Sequence, residues 1–181
     1  GTGFAWVGTD GYLPEPTGGV WCNETTGQAY ASADIPNNTA ATYVVPEAYA
    51  IYSADDNSLT FIRSFSAPVD TYNGKAVTEV YTGFETASYA SYTEVPWNGY
   101  ASTITSVVFE DEIAPVSTAY WFNYFYNCTS ITGLDKLDTS GVTDMSGMFY
   151  SCEELTTLDL SSWDTSNVVN MYCMFAYSGL T

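Results

Sequence analysis

No histidine occurs in the 181 residues of this chain. Ser-His-Asp and Cys-His catalysis both need an imidazole to take the nucleophile's proton, and His-ligated zinc needs one as a donor, so the segment excludes all three. Only Lys75 and Lys136 are present for Schiff-base chemistry. The main hydrolytic mechanism left is the paired carboxylates of a glycosidase. With 21 Asp and Glu some pair always falls at a workable distance, so no pair carries weight. The residue types therefore predict a chain that is not an enzyme.

Cys22, Cys128, Cys152 and Cys173 show no Cys-x-x-Cys spacing, so neither a metal knuckle nor a thioredoxin-type motif is present. Cys128 and Cys152 hold the same place in a sequence repeat and read as small buried apolar residues. Asp55, Asp56 and Asn57 are oxygen donors for calcium, but the glycine and closing glutamate of an EF-hand are missing, and the same residues are good turn formers. No metal and no cofactor is expected. Asn-x-Ser/Thr sequons at Asn23, Asn37 and Asn127 are too short a pattern to imply glycosylation. LPEPTGG, Leu13 to Gly19, has one residue too many for a sortase site.

Three basic residues (Arg63, Lys75, Lys136) against 21 acids give a net charge of -18. Nucleic acid and anionic membrane are excluded as partners, because neutralising phosphates needs clusters of Lys and Arg. No run of 18 apolar residues exists, so no membrane insertion is expected. Recognition is left to aromatic and neutral polar groups. Sixteen tyrosines with abundant Ser, Gly and Asn resemble surfaces that bind proteins through rigid aromatic contacts and adaptable hydrogen bonds. Trp97, Tyr100, Trp163 and Tyr172 are the candidate ligand-binding residues. A carbohydrate-binding module that stacks sugar rings on Trp6, Trp21 and Trp97 is the alternative, and a structural spacer within a larger surface protein is another.

The elements that must position these residues are clearest from Ile104 onward. Segments beginning at Ile104, Ile131, Leu155 and Leu180 are similar, at a period of about 25 residues. Val116, Val142 and Val168 form a second ladder, and Phe125, Phe149 and Phe175 a third. Met145, Met148, Phe149 and Cys152 stand at i, i+3, i+4 and i+7, repeated as Met171, Met174, Phe175 and Ser178 and preceded by Trp121, Tyr124, Phe125 and Cys128. That spacing predicts one apolar face on a short helix in each unit. Alternation at Leu155, Leu158 and Leu160, matched by Ile131 and Leu134, predicts a short strand. The expected fold is therefore an α/β solenoid, a leucine-rich-repeat stack of one short strand plus one short helix per unit, over residues 104–181.

A β-rich cap is expected at 49–103. AYAIYS and LTFIRSF flank the turn residues Asp55 to Ser58, and Asn73-Gly74 marks a second turn before KAVTEVYTGF. ETASYASYTEVPWNGY (85–100) reads as irregular. Residues 1–48, rich in Gly, Pro, Thr and Asn, read as an irregular or β N-terminal segment. The stack is expected to be open at its C-terminal end, where self-association is possible.

DTSGVTDMSGMFYSCEELTTLDLSSWDTSNVVNMYCMF, Asp138 to Phe175, resembles the repeat of BspA-like leucine-rich-repeat bacterial surface proteins. The shared features are the DTS at 138–140 and 164–166, the Val-x-x-Met-x-x-Met-Phe pattern and LTTLDLSSWD. SADDNSLTF, VPWNGY and STAYWFNYFYNC resemble the region that precedes such repeats. The resemblance implies an extracellular cell-surface protein whose signal and anchor lie outside this segment. It implies adhesion to a host or matrix protein or glycan, and it brings no catalytic residue.

Overall fold

The computed structural model describes residues 3–5, 20–23, 29–30 and 41–181, with side chains from residue 45 onward. Two compact units divide it, Gly1–Glu47 and Ala48–Thr181. In the first, β1 (Gly3–Ala5), β2 (Val20–Asn23), β3 (Ala29–Tyr30) and β4 (Ala41–Val44) pair antiparallel in the order β1-β4-β2-β3.

The second unit is built on a mixed five-stranded sheet. The AYAIYS and LTFIRSF runs form β5 (Glu47–Ser53) and β6 (Ser58–Ser64), adjacent in the sheet. Asn73 (φ 50°) and Gly74 (φ 79°) are both left-handed, as a two-residue hairpin turn requires, and join β7 (Thr71–Tyr72) to β8 (Lys75–Ala76). β9 (Glu79–Tyr81) returns antiparallel to β5. β10 (Ser106–Phe109) lies parallel between β6 and β11 (Ser130–Thr132), giving the order β11-β10-β6-β5-β9. The sheet thus runs through the boundary expected at 103/104.

Register sets the core. Leu59, Val107 and Ile131 align across three strands, as do Phe61 and Phe109, and all five are buried. Phe61 is the hub: its ring stacks on Phe109 at 4.5 Å and meets Phe84, Trp97, Trp121 and Phe122 within 6.3 Å. Such offset and edge-on aromatic pairs add about 0.5–1.5 kcal/mol each beyond their buried area. On the sheet's other face, Tyr49, Ile51 and Ile62 are covered by Tyr72, Val77 and Val80.

The expected α/β leucine-rich-repeat solenoid is overturned. Among the described residues there is no α-helix, only single 3₁₀ turns at Tyr92–Glu94, Asn98–Tyr100 and Leu134–Lys136. The Leu155–Leu160 run is not a strand. Met145, Met148, Phe149 and Cys152 do face inward, all fully buried, but on consecutive tight turns. The amide of Met148 donates three residues back to Met145, and that of Cys152 to Phe149.

Left-handed residues keep these turns from becoming a helix. Tyr120 and Tyr124 (φ 62° each), Gly147 and Ser151 (58° and 56°), and Cys173 and Tyr177 (53° and 58°) recur every fourth position. An α-helix tolerates none of them. The amide hydrogens so freed point sideways. Thr118, Tyr120, Phe122 and Tyr124 donate to the carbonyls of Asp144, Ser146, Met148 and Tyr150 at 2.9–3.0 Å. Met145, Gly147, Phe149 and Ser151 donate in the same way to Asn170, Tyr172, Met174 and Ala176 at 2.8–2.9 Å.

The left-handed positions also correct the aromatic ladder. They align Phe122, not Phe125, with Phe149 and Phe175. Phe149 lies 5.6 Å from both Phe122 and Phe175. Phe125 packs beside Phe122 instead, at 5.5 Å. Val116, the first member of the valine ladder, is exposed, whereas Val142 is buried.

Gly133 follows β11 at φ 74°, where a Cβ would stand 2.2 Å from the Phe109 carbonyl oxygen. Gly133→Ala is expected to lower unfolding free energy by at least about 2 kcal/mol, since strain and clash with backbone add. Gly99→Ala, at a position with open space around it, should stay within about 0.5 kcal/mol. Equal urea midpoints for the two variants would contradict this account.

Candidate functional site

The ladder brings one residue type to one face. Tyr124 and Tyr150, and Tyr150 and Tyr177, occupy successive turns with ring centroids 5.5 and 5.3 Å apart. Tyr92, on the 3₁₀ turn at 92–94, extends the row, edge-on to Tyr124 at 4.9 Å. Tyr126 lies 5.4 Å from Tyr124 on its other side. Each step is an edge or tilted contact, in which an edge-on ring covers part of its neighbour's face. Tyr172 (76% exposed) and Tyr177 (73% exposed) stand at the rim.

Tyr92, Tyr124, Tyr150, Tyr172 and Tyr177, with Tyr120, Asn123, Gly147 and Cys173, line a shallow groove of about 380 Å³. Gly147 makes its floor possible: a Cβ there would come within 2.8 Å of the Tyr120 ring and 3.1 Å of Asn123 Nδ2. Asn123 is only 5% exposed, and its Nδ2 donates to the Gly147 carbonyl at 2.9 Å. Its Oδ1 has no hydrogen-bond partner. An orphan buried acceptor of this kind costs on the order of 1–3 kcal/mol, and with almost no accessible surface it is closed to a ligand in the groove.

The groove has no charged lining residue, and the chain as a whole carries a net charge of -18. The protein's three cations are engaged elsewhere. Arg63 pairs with Glu85, Lys75 lies 2.5 Å from Asp56, and Lys136 Nζ donates to the Glu110 carbonyl. Loss of solvation raises the Tyr150 hydroxyl above its ordinary value, as does hydrogen bonding with Cys173 for Tyr172. Both rings are therefore neutral near pH 7.

Burial pushes the Cys128 thiol up to about 11, and burial followed by the nearness of Cys128 pushes Cys152 up to about 12, so neither supplies a thiolate nucleophile. Among the described residues no group of three or more Cys, Asp or Glu is arranged to hold a metal ion. Asp55 accepts from the Ala76 amide and Asp56 pairs with Lys75, so both serve the hairpin.

Of the four expected ligand-binding residues, the groove contains Tyr172 alone. Trp97 is 0% exposed, its Nε1 donating to the Trp121 carbonyl at 2.6 Å, and its faces are spent on Phe61 and Phe84. Tyr100 stacks on Tyr52 at 3.9 Å. Trp163 is half-buried, stacks on Phe149 and donates to the Leu134 carbonyl. The Trp6 and Trp21 side chains lie outside the described residues. Sequence reasoning missed Tyr92, Tyr120, Asn123, Tyr124, Tyr150 and Tyr177, although the recurrence of Tyr124, Tyr150 and Tyr177 at the repeat interval is a usable signal.

Residues 120–179 match a family model described as a Mycoplasma protein of unknown function, DUF285. The matched stretch holds Asn123 and every groove tyrosine except Tyr92. No curated protein and no solved structure matches the chain.

Two outcomes are expected. Trp97→Ala should lose about 3–5 kcal/mol of stability in denaturant titration, and Tyr172→Ala no more than about 0.5 kcal/mol. A similar loss for both would refute the contrast between core and rim. At pH 8 a thiol reagent should leave Cys128 and Cys152 unmodified until the protein is unfolded; rapid native labelling of either would show that its side chain is not buried. Their folded values lie above the unfolded one, so their contribution to stability is intact below about pH 9 and lost as pH rises toward 11–12.

Proposed function

We propose that this chain is a non-catalytic binding module displayed outside the cell, which holds a host or matrix protein against its tyrosine groove. The observation that carries this reading is the unbroken row Tyr92, Tyr124, Tyr150 and Tyr177, flanked by Tyr126 and Tyr172. Tyrosine gives a large contact area at a small conformational cost, and its hydroxyl suits a wet interface. Contiguous apolar surface on a soluble protein commonly marks an interaction site. Display at a bacterial surface is supported by the resemblance of residues 138–175 to BspA-like surface proteins. Trp97 contributes nothing to a glycan reading, because a core residue offers no face to a sugar ring.

The test is surface plasmon resonance of the intact chain against purified matrix proteins, alongside a glycan array. Saturable binding to a protein is expected, with loss of roughly tenfold or more in affinity when Tyr172 and Tyr177 are both changed to Ser. Binding that survives this double change, or binding to glycans alone, would overturn the reading.

A further inference from the structure

The groove has a chemical polarity that narrows which ligands it can take. Resting on the proposed role of the groove as the binding face, we infer that it receives an arginine side chain from an extended segment of the partner protein, the guanidinium stacking among the tyrosine rings.

Two independent features converge on that group. The rings of Tyr124, Tyr150, Tyr172 and Tyr177 carry partial negative charge on their faces, which attract a cation within about 6 Å of the ring centre. A guanidinium's plane matches such an aromatic slot as a lysine ammonium does not.

Charge is the second feature. The net charge is -18, none of the three basic side chains lines the groove, and all three are paired elsewhere. A cationic ligand gains from that field within a screening length, whereas an acidic peptide is repelled. A neutral sugar would use the ring faces but would draw nothing from the charge.

The experiment is an NMR titration of the full chain, observing tyrosine ring signals, with Ac-Gly-Arg-Gly-NH2 and its citrulline counterpart. Citrulline has nearly the same shape and no charge. The arginine peptide should shift the Tyr150, Tyr172 and Tyr177 rings saturably and bind roughly tenfold more tightly than the citrulline peptide, with the lysine peptide between them. Tyr172→Phe with Tyr177→Phe should retain binding, because the ring face suffices, while the same pair changed to Leu should lose it. These two rim residues are largely exposed, so the Leu variant is expected to remain folded, with the dispersion of its amide spectrum as the check.

Equal affinity for arginine and citrulline overturns the inference, and so does arginine binding unchanged in the Leu variant, which would be attraction to the acidic surface at large. Tighter uptake of a neutral chito-oligosaccharide would overturn it also. If the Ser variants abolish capture of a matrix protein while arginine and citrulline stay indistinguishable, the ligand class fails and the groove remains a binding face. If neither effect is seen, both fall.

Discussion

A ladder of backbone hydrogen bonds that runs in one direction governs the C-terminal part of this protein. In residues 118–124 the amides of alternate residues donate to carbonyls of 144–150, and those of 145–151 donate to carbonyls of 170–176. Left-handed residues two per turn make that arrangement possible, and for residues other than glycine each costs roughly 1–2 kcal/mol. Hydrogen bonds worth about 1 kcal/mol apiece offset part of this. The rest comes from burying Met145, Met148, Phe149 and Cys152 against their neighbours. No turn can hold this shape alone, because its amides would lack acceptors and its apolar face would meet water.

The groove is a by-product of the same constraint. Each step along the ladder carries the chain sideways by one hydrogen-bonded spacing, so a tyrosine in each turn yields a row with rings about 5 Å apart. Tyr120, Tyr124 and Tyr177 themselves occupy left-handed positions, and Gly147 fills another. The row of rings is therefore placed by the backbone geometry that holds the turns together.

Some of this is legible in the residues and some is not. The hairpin at 49–66 and the Asn73-Gly74 turn are legible because local rules for strand and turn act within a few residues. Which side chains of 145–152 point inward is legible too. The state of the backbone is not, since i, i+3, i+4, i+7 spacing is shared by a helix and by successive tight turns. Left-handed demand would separate them, but five of the six positions hold Tyr, Ser or Cys, which do not announce it. Phe125 competes with Phe122 for the ladder because the aromatic run WFNYFYN satisfies either alignment, and only the cross-turn hydrogen bonds decide between them. Trp97 misleads for a related reason: tryptophan in a proline- and glycine-bearing stretch suggests an exposed loop, while its indole N–H reaching the Trp121 carbonyl is a long-range fact.

In the proposed binding groove, charge and shape would divide the work of recognition between them. A field from -18 charges decays over a screening length of about 8–10 Å at physiological salt, so it gathers cations near the whole surface without choosing among them. The ion pairs Arg63–Glu85 and Lys75–Asp56 are partly exposed, and pairs of that kind contribute at most about 1 kcal/mol. Their larger consequence is positional, because they hold the scarce cations away from the tyrosine row. Discrimination must then come from contacts shorter than the screening length. In the proposed groove the ring faces operate at that range, and they would favour a flat cation over a compact or neutral one.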